Sequence, residues 1–399
     1  MDEPLTVLVA ARDEERTIAR TVTALRHAFP DAEVIVADDG SRDATAERAE
    51  EAGAVVIRLP RLGKGQALTA AERAAPLGRL VLCDAELEGD LAPLLDAPGD
   101  LTIAAFANSA GGGFGIAKAV ARGIVRLRAG FDAREPLSGQ RALSPRARAT
   151  TFPLAPGFGC EVRMTIDAVR SGLQVGEVTL PLRHRPTRRD LAGFLHRGRQ
   201  LLDSLLAAGP LRVNYRGRRI PLVGWTAAVH EPVVTAIGLA DDLFSGPERG
   251  FRSHLRARRT TGMLKLLAVP AYALMRTRSF SGALLLALAA NALNQLDTRP
   301  GRALKAYLLA ALALDAPLTL AVLLLPYDLR EMAMLGDAGA NGFGALLGLN
   351  SVNRFTGRGR WTAIAGLAAF TALGEVTSLG ALIERTPGLA DLDRLGRRV

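Results

Sequence analysis

Cysteine and aromatic residues are scarce in this chain of 399 residues, and each shortage removes a class of protein. Two cysteines, Cys83 and Cys160, cannot build a disulfide scaffold or a four-cysteine zinc site. They read as small buried thiols in a reducing compartment. Aromatic residues make up 5%, with 2 Trp and 4 Tyr. The stacking surface that single-stranded nucleic acid requires is therefore missing, although the net charge is +10. No nucleic-acid partner is expected. The first residues, MDEPLTVLVAARDEE, carry acids where a secretory signal has basic residues, and the apolar run is too short for one. Gly111-Gly112-Gly113 lacks the strand-then-helix setting of a phosphate-binding glycine loop, and a flap is expected there. No internal repeat is visible.

Charge is spread unevenly. Residues 1–100 sum to −9, residues 101–220 to +13 and residues 221–399 to +6. Mean hydropathy, +0.16, is high for a wholly soluble enzyme. The acidic head alternates strand and helix patterns. Leu5–Ala11, Glu33–Ala37, Ala54–Arg58, Arg79–Cys83 and Leu101–Ala105 read as strands. Arg16–Phe29, Ala44–Ala52 and Gln66–Ala75 read as helices. That alternation predicts an α/β domain with a mostly parallel sheet over residues 1–208, with ligands at the carboxyl ends of the strands. Pro210–Pro221 is basic and rich in helix breakers, so 209–221 reads as a linker.

Residues 222–399 read as an all-α membrane domain. Ser279–Leu296 is 18 residues without a charge, and Ala306–Pro326 is 21 residues with Asp315 alone. Ala338–Asn353 and Trp361–Gly374 are also uncharged. Such lengths border on the roughly 20 residues of a membrane span. Arg249–Arg259, Arg354–Arg360 and Arg394–Arg398 fit cytoplasmic connectors. The expectation is a multi-pass cell-membrane protein with a cytoplasmic head.

Four elements fall at the predicted strand ends: Asp13-Glu14-Glu15, Asp38-Asp39, Gly63-Lys64-Gly65 and Asp84-Ala85-Glu86. Each acidic group alone reads as a helix N-terminal charge or a solvated turn. Together they converge on one crevice. VLVAARDEERTIARTV, VIVADDGSRDATAERA, GKGQAL and LVLCDAEL, in this order, resemble the family 2 glycosyltransferases of GT-A fold. The resemblance implies a nucleotide-sugar donor, with Ala11, Glu14 and Asp39 bordering the nucleotide. It also implies a divalent metal, Mg²⁺ or Mn²⁺, on the acidic element Asp84 and Glu86. Glu86 departs from the family's usual second Asp. Those two carboxylates, at i and i+2, point alike if the strand continues. Lys64 adds positive charge near the phosphates.

EPLSGQRAL, APGFGCEVRMTIDAV and LPLRHRPTRRDL follow. Their order resembles the glucosyl-3-phosphoglycerate synthases and the dolichyl- or polyprenyl-phosphate sugar synthases. The resemblance implies active-site roles for Glu161, facing the acceptor, and for His184, at the metal. The basic stretch from Arg183 to Arg199, including Arg185, suits an anionic acceptor or lipid headgroups as well as a solvated face.

The tail carries its own constellation: Asp241-Asp242, Lys265, Asn291, Asn294, Asp297 and Asp337. NYRGRRIPLVGW, ADDLFSGPERGFRSHL with TTGMLK, NALNQLD and GDAGAN resemble the polyprenyl-phosphate hexosamine-1-phosphate transferases. That family uses such acids for Mg²⁺ and a UDP-sugar. This tail is shorter, reads DTRPG after the asparagines and has no histidine after His254. The leading expectation is therefore a membrane-associated glycosyltransferase fused to a shortened phosphotransferase-like domain. It would act on a polyprenyl phosphate or another lipid-linked cell-envelope precursor. The alternatives are a sugar-1-phosphate transferase working from the tail, a catalytically idle scaffold, and a synthase acting on a three-carbon acid with the tail as an anchor.

Overall fold

A computed structural model describes residues 3–107, 115–182, 191–244 and 261–397, with the side chains of 191–197 and 261–264 set aside. The chain divides into two compact units, Met1–Ala208 and Gly209–Val399.

The first unit is built on seven strands: β1 Leu5–Ala11, β2 Glu33–Asp38, β3 Val55–Arg58, β4 Arg79–Asp84, β5 Leu101–Phe106, β6 Arg141–Leu143 and β7 Val175–Leu180. Their order is β3-β2-β1-β4-β6-β5-β7. Every pairing is parallel except those of β6, which runs against both β4 and β5. The helices are α1 Ile18–Ala28, α2 Thr45–Glu51, α3 Lys64–Glu72, α4 Pro93–Asp96, α5 Ile116–Ala129, α6 Pro145–Thr151, α7 Cys160–Arg170 and α8 Leu191–Ala208.

β1 is apolar but for Thr6 because it is central and covered on both faces: Val7, Leu8 and Val9 are fully buried. Alternation sends Val7 and Val9 to one face, where Ile18, Val22 and Leu25 of α1 pack. Leu8 points to the other, with Ala67, Leu68 and Ala71 of α3. The two helices that follow β1 and β3 therefore close opposite faces of the sheet. The strands read from sequence through residue 105 form at those places. α3 starts at Lys64, two residues before the apolar spacing indicates, because Gly63 turns the chain at φ 92°.

Arg148 fixes the far end of α3. Its side chain is buried, and Nη2 donates to the carbonyls of Glu72 and Ala75, both at 3.0 Å. Nε donates to Glu72 Oε1 at 2.7 Å. Carbonyls orphaned at a helix C-terminus are thus satisfied by a cation, which also suits the helix dipole.

The second unit opens with a two-stranded antiparallel hairpin, β8 Leu211–Val213 and β9 Arg219–Pro221. This corrects the linker expected over 209–221. Asn214 makes the difference: its Oδ1 accepts from the backbone N–H of Arg216 at 3.0 Å and of Arg218 at 2.9 Å, closing the turn. Helices follow: α9 Pro232–Phe244, α10 Thr261–Thr277, α11 Phe280–Leu296, α12 Arg302–Leu314, α13 Thr319–Leu329, α14 Gly336–Arg354, α15 Gly357–Val376, α16 Leu379–Arg385 and α17 Leu389–Arg394. α14 is the buried centre. A Cβ at Gly344 would sit 2.6 Å from the Ala289 carbonyl oxygen, and one at Gly348 would sit 2.5 Å from Leu286 Cα. Those glycines let α14 lie directly on α11.

The 21-residue apolar run Ala306–Pro326 is not one helix. Asp315 adopts φ 55° as the cap of α12, and Pro317 cannot extend a helix, so α13 starts afresh at Thr319. Among the described residues no single helix is long and apolar enough to cross a membrane. α15 and α16 pass that test together, but with a bend of 100° between them. The flap expected at Gly111–Gly113 and the connector Arg249–Arg259 lie outside the described residues.

Arg148→Met should lower the stability of the first unit by about 2–4 kcal/mol, since several buried carbonyls lose their donor together. The urea midpoint of its unfolding transition, followed by far-UV circular dichroism on the full chain, measures this. An unchanged midpoint would refute the capping role.

Candidate active site

The sheet register brings three strand ends to one edge. Ala11 pairs with Asp38, and Ala10 with Asp84. The carboxyl ends of β1, β2 and β4 therefore lie side by side, and the start of α3 stands beside them.

The outer loops of this edge are tied together by the acids expected to border a nucleotide. Asp39 is buried, and its carboxylate accepts from the backbone N–H of Leu62 at 2.5 Å and of Gly63 at 3.0 Å. It anchors the turn that launches α3. Ala11 offers its carbonyl to Asp39 N at 3.0 Å. Glu14 turns its carboxylate to Thr17 Oγ1 at 2.7 Å, while its own N–H donates to Thr45 Oγ1 at 2.7 Å. All three residues stand at the strand edge, and each also has an internal partner.

At the centre stands Lys64. Its Nζ lies 2.5 Å from Asp84 Oδ1 and 2.6 Å from Glu161 Oε1. The lysine comes from the first residue of α3, Asp84 from the last of β4, and Glu161 from the first turn of α7. Burial disfavours the Lys64 ammonium, but Asp84 and Glu161 more than offset it and hold its pKa well above the ordinary value. Glu161 is 5% exposed, and Cys160 Sγ donates to its Oε2 at 3.0 Å. Burial first, then the neighbouring carboxylates, push the thiols of Cys83 and Cys160 up, so both stay protonated.

Gln140 completes the ring. Its Nε2 donates to Asp84 Oδ2 at 3.0 Å, and Ser138 Oγ donates to its Oε1 at 3.2 Å. A Cβ at Gly139 would lie 2.5 Å from both Asp84 oxygens, so glycine alone leaves the carboxylate its place. Arg141 is fully buried next to this group, donating to the carbonyls of Ser138 at 2.8 Å and Pro136 at 3.1 Å and to Thr165 Oγ1 at 2.9 Å. Gln140, Gly139 and Arg141 were not singled out from sequence. The signal was present in the run SGQRA, polar and charged residues at a place where the apolar pattern gives no reason for them.

β4 ends at Asp84, and Ala85 and Glu86 form a turn. The strand does not continue through Glu86, so the condition under which the two carboxylates would point alike is not met. His184 and Arg185 lie outside the described residues.

The second unit gathers its own polar cluster. Arg212 Nη2 lies 2.8 Å from Asp337 Oδ1 and 3.3 Å from Asp242 Oδ1. Lys265 Nζ lies 2.9 Å from Asp337 Oδ2 and 3.9 Å from Asp241 Oδ2. With its amide turned to satisfy both neighbours, Asn294 donates to Asp337 Oδ1 at 3.1 Å and accepts from Lys265 Nζ at 3.0 Å. Asp242 accepts from Asp337 N at 3.0 Å and Ala338 N at 2.8 Å, and Asp297 from Gly336 N at 2.9 Å, so carboxylates cap the start of α14. Asn291 does not join: it donates to Thr371 Oγ1 at 3.2 Å. Position 291 lies a turn below the cluster and faces α15. Arg212 is the member that sequence reasoning missed. It sits on the hairpin that was read as a linker.

The family model for glycosyl transferase family 2 matches residues 6–88. The chain is 32% identical over 238 residues to a glucosyl-3-phosphoglycerate synthase of Mycolicibacterium paratuberculosis, covering 51% of this chain and 71% of that protein. It is 30% identical over 235 residues to the same-named protein of Mycolicibacterium smegmatis, covering 51% and 77%. It is 29% identical over 197 residues to the glycosyltransferase AglJ of Haloferax volcanii, covering 46% and 64%. Among solved structures, glucosyl-3-phosphoglycerate synthase from Mycobacterium tuberculosis with Mg²⁺ and uridine diphosphate aligns at TM-score 0.44 and 28% identity, over 52% of this chain and 79% of that one.

Lys64→Met should cost about 3–5 kcal/mol, because it strands the buried Glu161 carboxylate. Adding Glu161→Gln should recover part of that loss. The coupling is read from urea unfolding of wild type, both single variants and the double variant. Strict additivity would dissolve the ion pair as an organising contact.

Proposed function

The chain belongs to glycosyl transferase family 2, and from that premise we propose that its first unit transfers a sugar from a nucleoside-diphosphate sugar, UDP-linked, to a phosphorylated acceptor carried at a membrane. The observation that carries the reading is the convergence of Asp84, Lys64, Gln140 and Glu161 at the carboxyl ends of the strands.

A divalent cation belongs to this reading, and the residues fit one. Asp84 is a partly exposed carboxylate that already collects a cationic group, the Lys64 ammonium. Asp84 and Glu86 supply hard oxygens, with His184 as a further ligand. Among the described residues no set of three or more His, Cys, Asp and Glu side chains is gathered to hold a metal alone. Mg²⁺ and Mn²⁺ sites on phosphorylated substrates commonly take one or two carboxylates and complete the shell with phosphate oxygens and water. When bound, the ion neutralises the charge that builds on the departing diphosphate.

The protein's own groups do the rest. Asp39, Glu14 and the Ala11 backbone shape the edge that receives the nucleotide. Lys64 brings a positive charge to the diphosphate in a shielded place, where it acts more strongly than in water. Glu161 faces the acceptor; the phosphate acceptor proposed here is already ionised and needs little deprotonation, so only an acceptor hydroxyl would call on Glu161 as a base. Arg185 and its basic neighbours receive an anionic acceptor.

The membrane part of the reading draws on the second unit's surface. Leu267, Met275, Phe280, Leu312, Leu323 and Val376 are each more than half exposed. Apolar side chains exposed on several of its helices suit a surface that is covered, as a membrane would cover it. The acceptor is a polyprenyl phosphate or a related lipid-linked precursor, and the first unit works on the cytoplasmic side.

A second reading has one observation in its favour: Asp241, Asp242, Lys265, Asn294 and Asp337 do come together in the second unit. In that reading they transfer a sugar phosphate and release UMP. Arg212, seated between Asp242 and Asp337, weighs against it, because a guanidinium already neutralises those acids.

One assay separates the readings. Full-length protein in detergent, with UDP-sugars, Mg²⁺ or Mn²⁺ and polyprenyl phosphate, should release UDP, and Asp84→Ala should lower the rate by at least about 10²-fold. UMP release that disappears in Asp337→Ala would install the second reading instead. UDP release with 3-phosphoglycerate but not with the lipid phosphate would overturn the acceptor.

A further inference from the structure

Asp84 is boxed in on three sides. Oδ2 is held by Gln140 Nε2 at 3.0 Å, and Gln140 is itself 2% exposed and fixed by Ser138. One flank is closed by Gly139, where even a Cβ would lie 2.5 Å from the carboxylate oxygens. Oδ1 is held by Lys64 Nζ at 2.5 Å. Of these neighbours, Lys64 is the one on a flexible four-carbon stem. It also has somewhere to go, since Glu161 Oε1 lies 2.6 Å from the same nitrogen.

Resting on the function proposed above, we infer that Lys64 and the divalent cation are alternative occupants of Asp84 Oδ1. A doubly charged ion on Oδ1 competes with an ammonium in hydrogen-bond contact there, because the two cations repel each other more strongly in a shielded site than in water. Lys64 therefore withdraws from Asp84 and stays held by Glu161 until a donor diphosphate offers a better partner. Two consequences follow. Metal alone binds weakly, because it must displace a lysine. Metal and nucleoside diphosphate bind cooperatively, because the diphosphate takes up the displaced ammonium. Before its donor arrives, the site is closed by its own lysine.

The test is Mn²⁺ binding by full-length protein, followed by the electron paramagnetic resonance of free Mn²⁺, with and without UDP. Wild type should bind Mn²⁺ weakly alone and at least about tenfold more tightly with UDP, a coupling of about 1.4 kcal/mol. Lys64→Met should bind Mn²⁺ alone several-fold more tightly than wild type and show a smaller gain from UDP. Lys64→Met with Glu161→Gln, which leaves no stranded carboxylate at position 161, should behave the same way and guards against a folding defect. Asp84→Asn should abolish binding. If both lysine variants bind Mn²⁺ alone no better than wild type while Asp84→Asn still removes it, the exchange is wrong and the donor reading survives. If wild type with UDP binds no Mn²⁺, the donor reading falls, and the exchange with it.

Discussion

A single ammonium shared between two carboxylates is the contact on which the first unit's site depends. Lys64, Asp84 and Glu161 come from a helix start, a strand end and a second helix start. A charge in so little water is tolerated only when it is paired, so each element must stop where its charged residue meets the others. The surrounding features serve that constraint. Asp39 ties down the turn before α3, Arg148 holds the far end of the same helix, and Gly139 leaves room for Asp84. A helix fixed at both ends places its first side chain reproducibly, and reproducible placement is what catalysis by charge needs.

The second unit repeats the principle with different parts. Asp242 and Asp337 meet Arg212 and Lys265, and Asp242 and Asp297 also cap the start of α14. The helix that carries Asp337 is rich in glycine and lies directly on α11, and beside Asp337 itself Gly238 lets α9 approach closely, where a Cβ would lie 2.5 Å from the Asp337 carbonyl oxygen. In both units, acidic residues that look like metal ligands in isolation are partly occupied by the protein's own cations. The difference lies in the cation. Lys64 ends in a compact ammonium on a flexible stem, whereas Arg212 reaches both carboxylates through one nitrogen, Nη2, of a rigid planar group.

Much of the first unit was legible because its signals are local. Apolar runs of strand length, followed by helical spacing, located β1 to β5 and α1 to α3 within a few residues. The acidic groups marked the strand ends because the apolar pattern breaks off where a strand leaves the core. β6 carried no such signal, since three residues of mixed character have no readable period. The second unit was less legible. An uncharged run looks the same whether it crosses a membrane or folds back, and a basic stretch with helix breakers looks like a linker until Asn214 is seen closing a turn.

The sequence by itself determined the α/β order, the alternation that buries β1 on both faces, and the place of Asp84 and Lys64 near strand ends; Glu161 became a candidate through the family resemblance. Periodicity and residue chemistry are written along the chain, and solvent reads them locally. Only the tertiary structure decided which charges meet. Lys64 finds Asp84 twenty residues away, and Arg212 finds Asp337 across 125. It also decided that β6 runs backwards between β4 and β5, and that residues 306–326 break at Asp315 rather than form one helix. Pairing between distant charges depends on how sheets and helices pack in space, and no spacing along the chain encodes it.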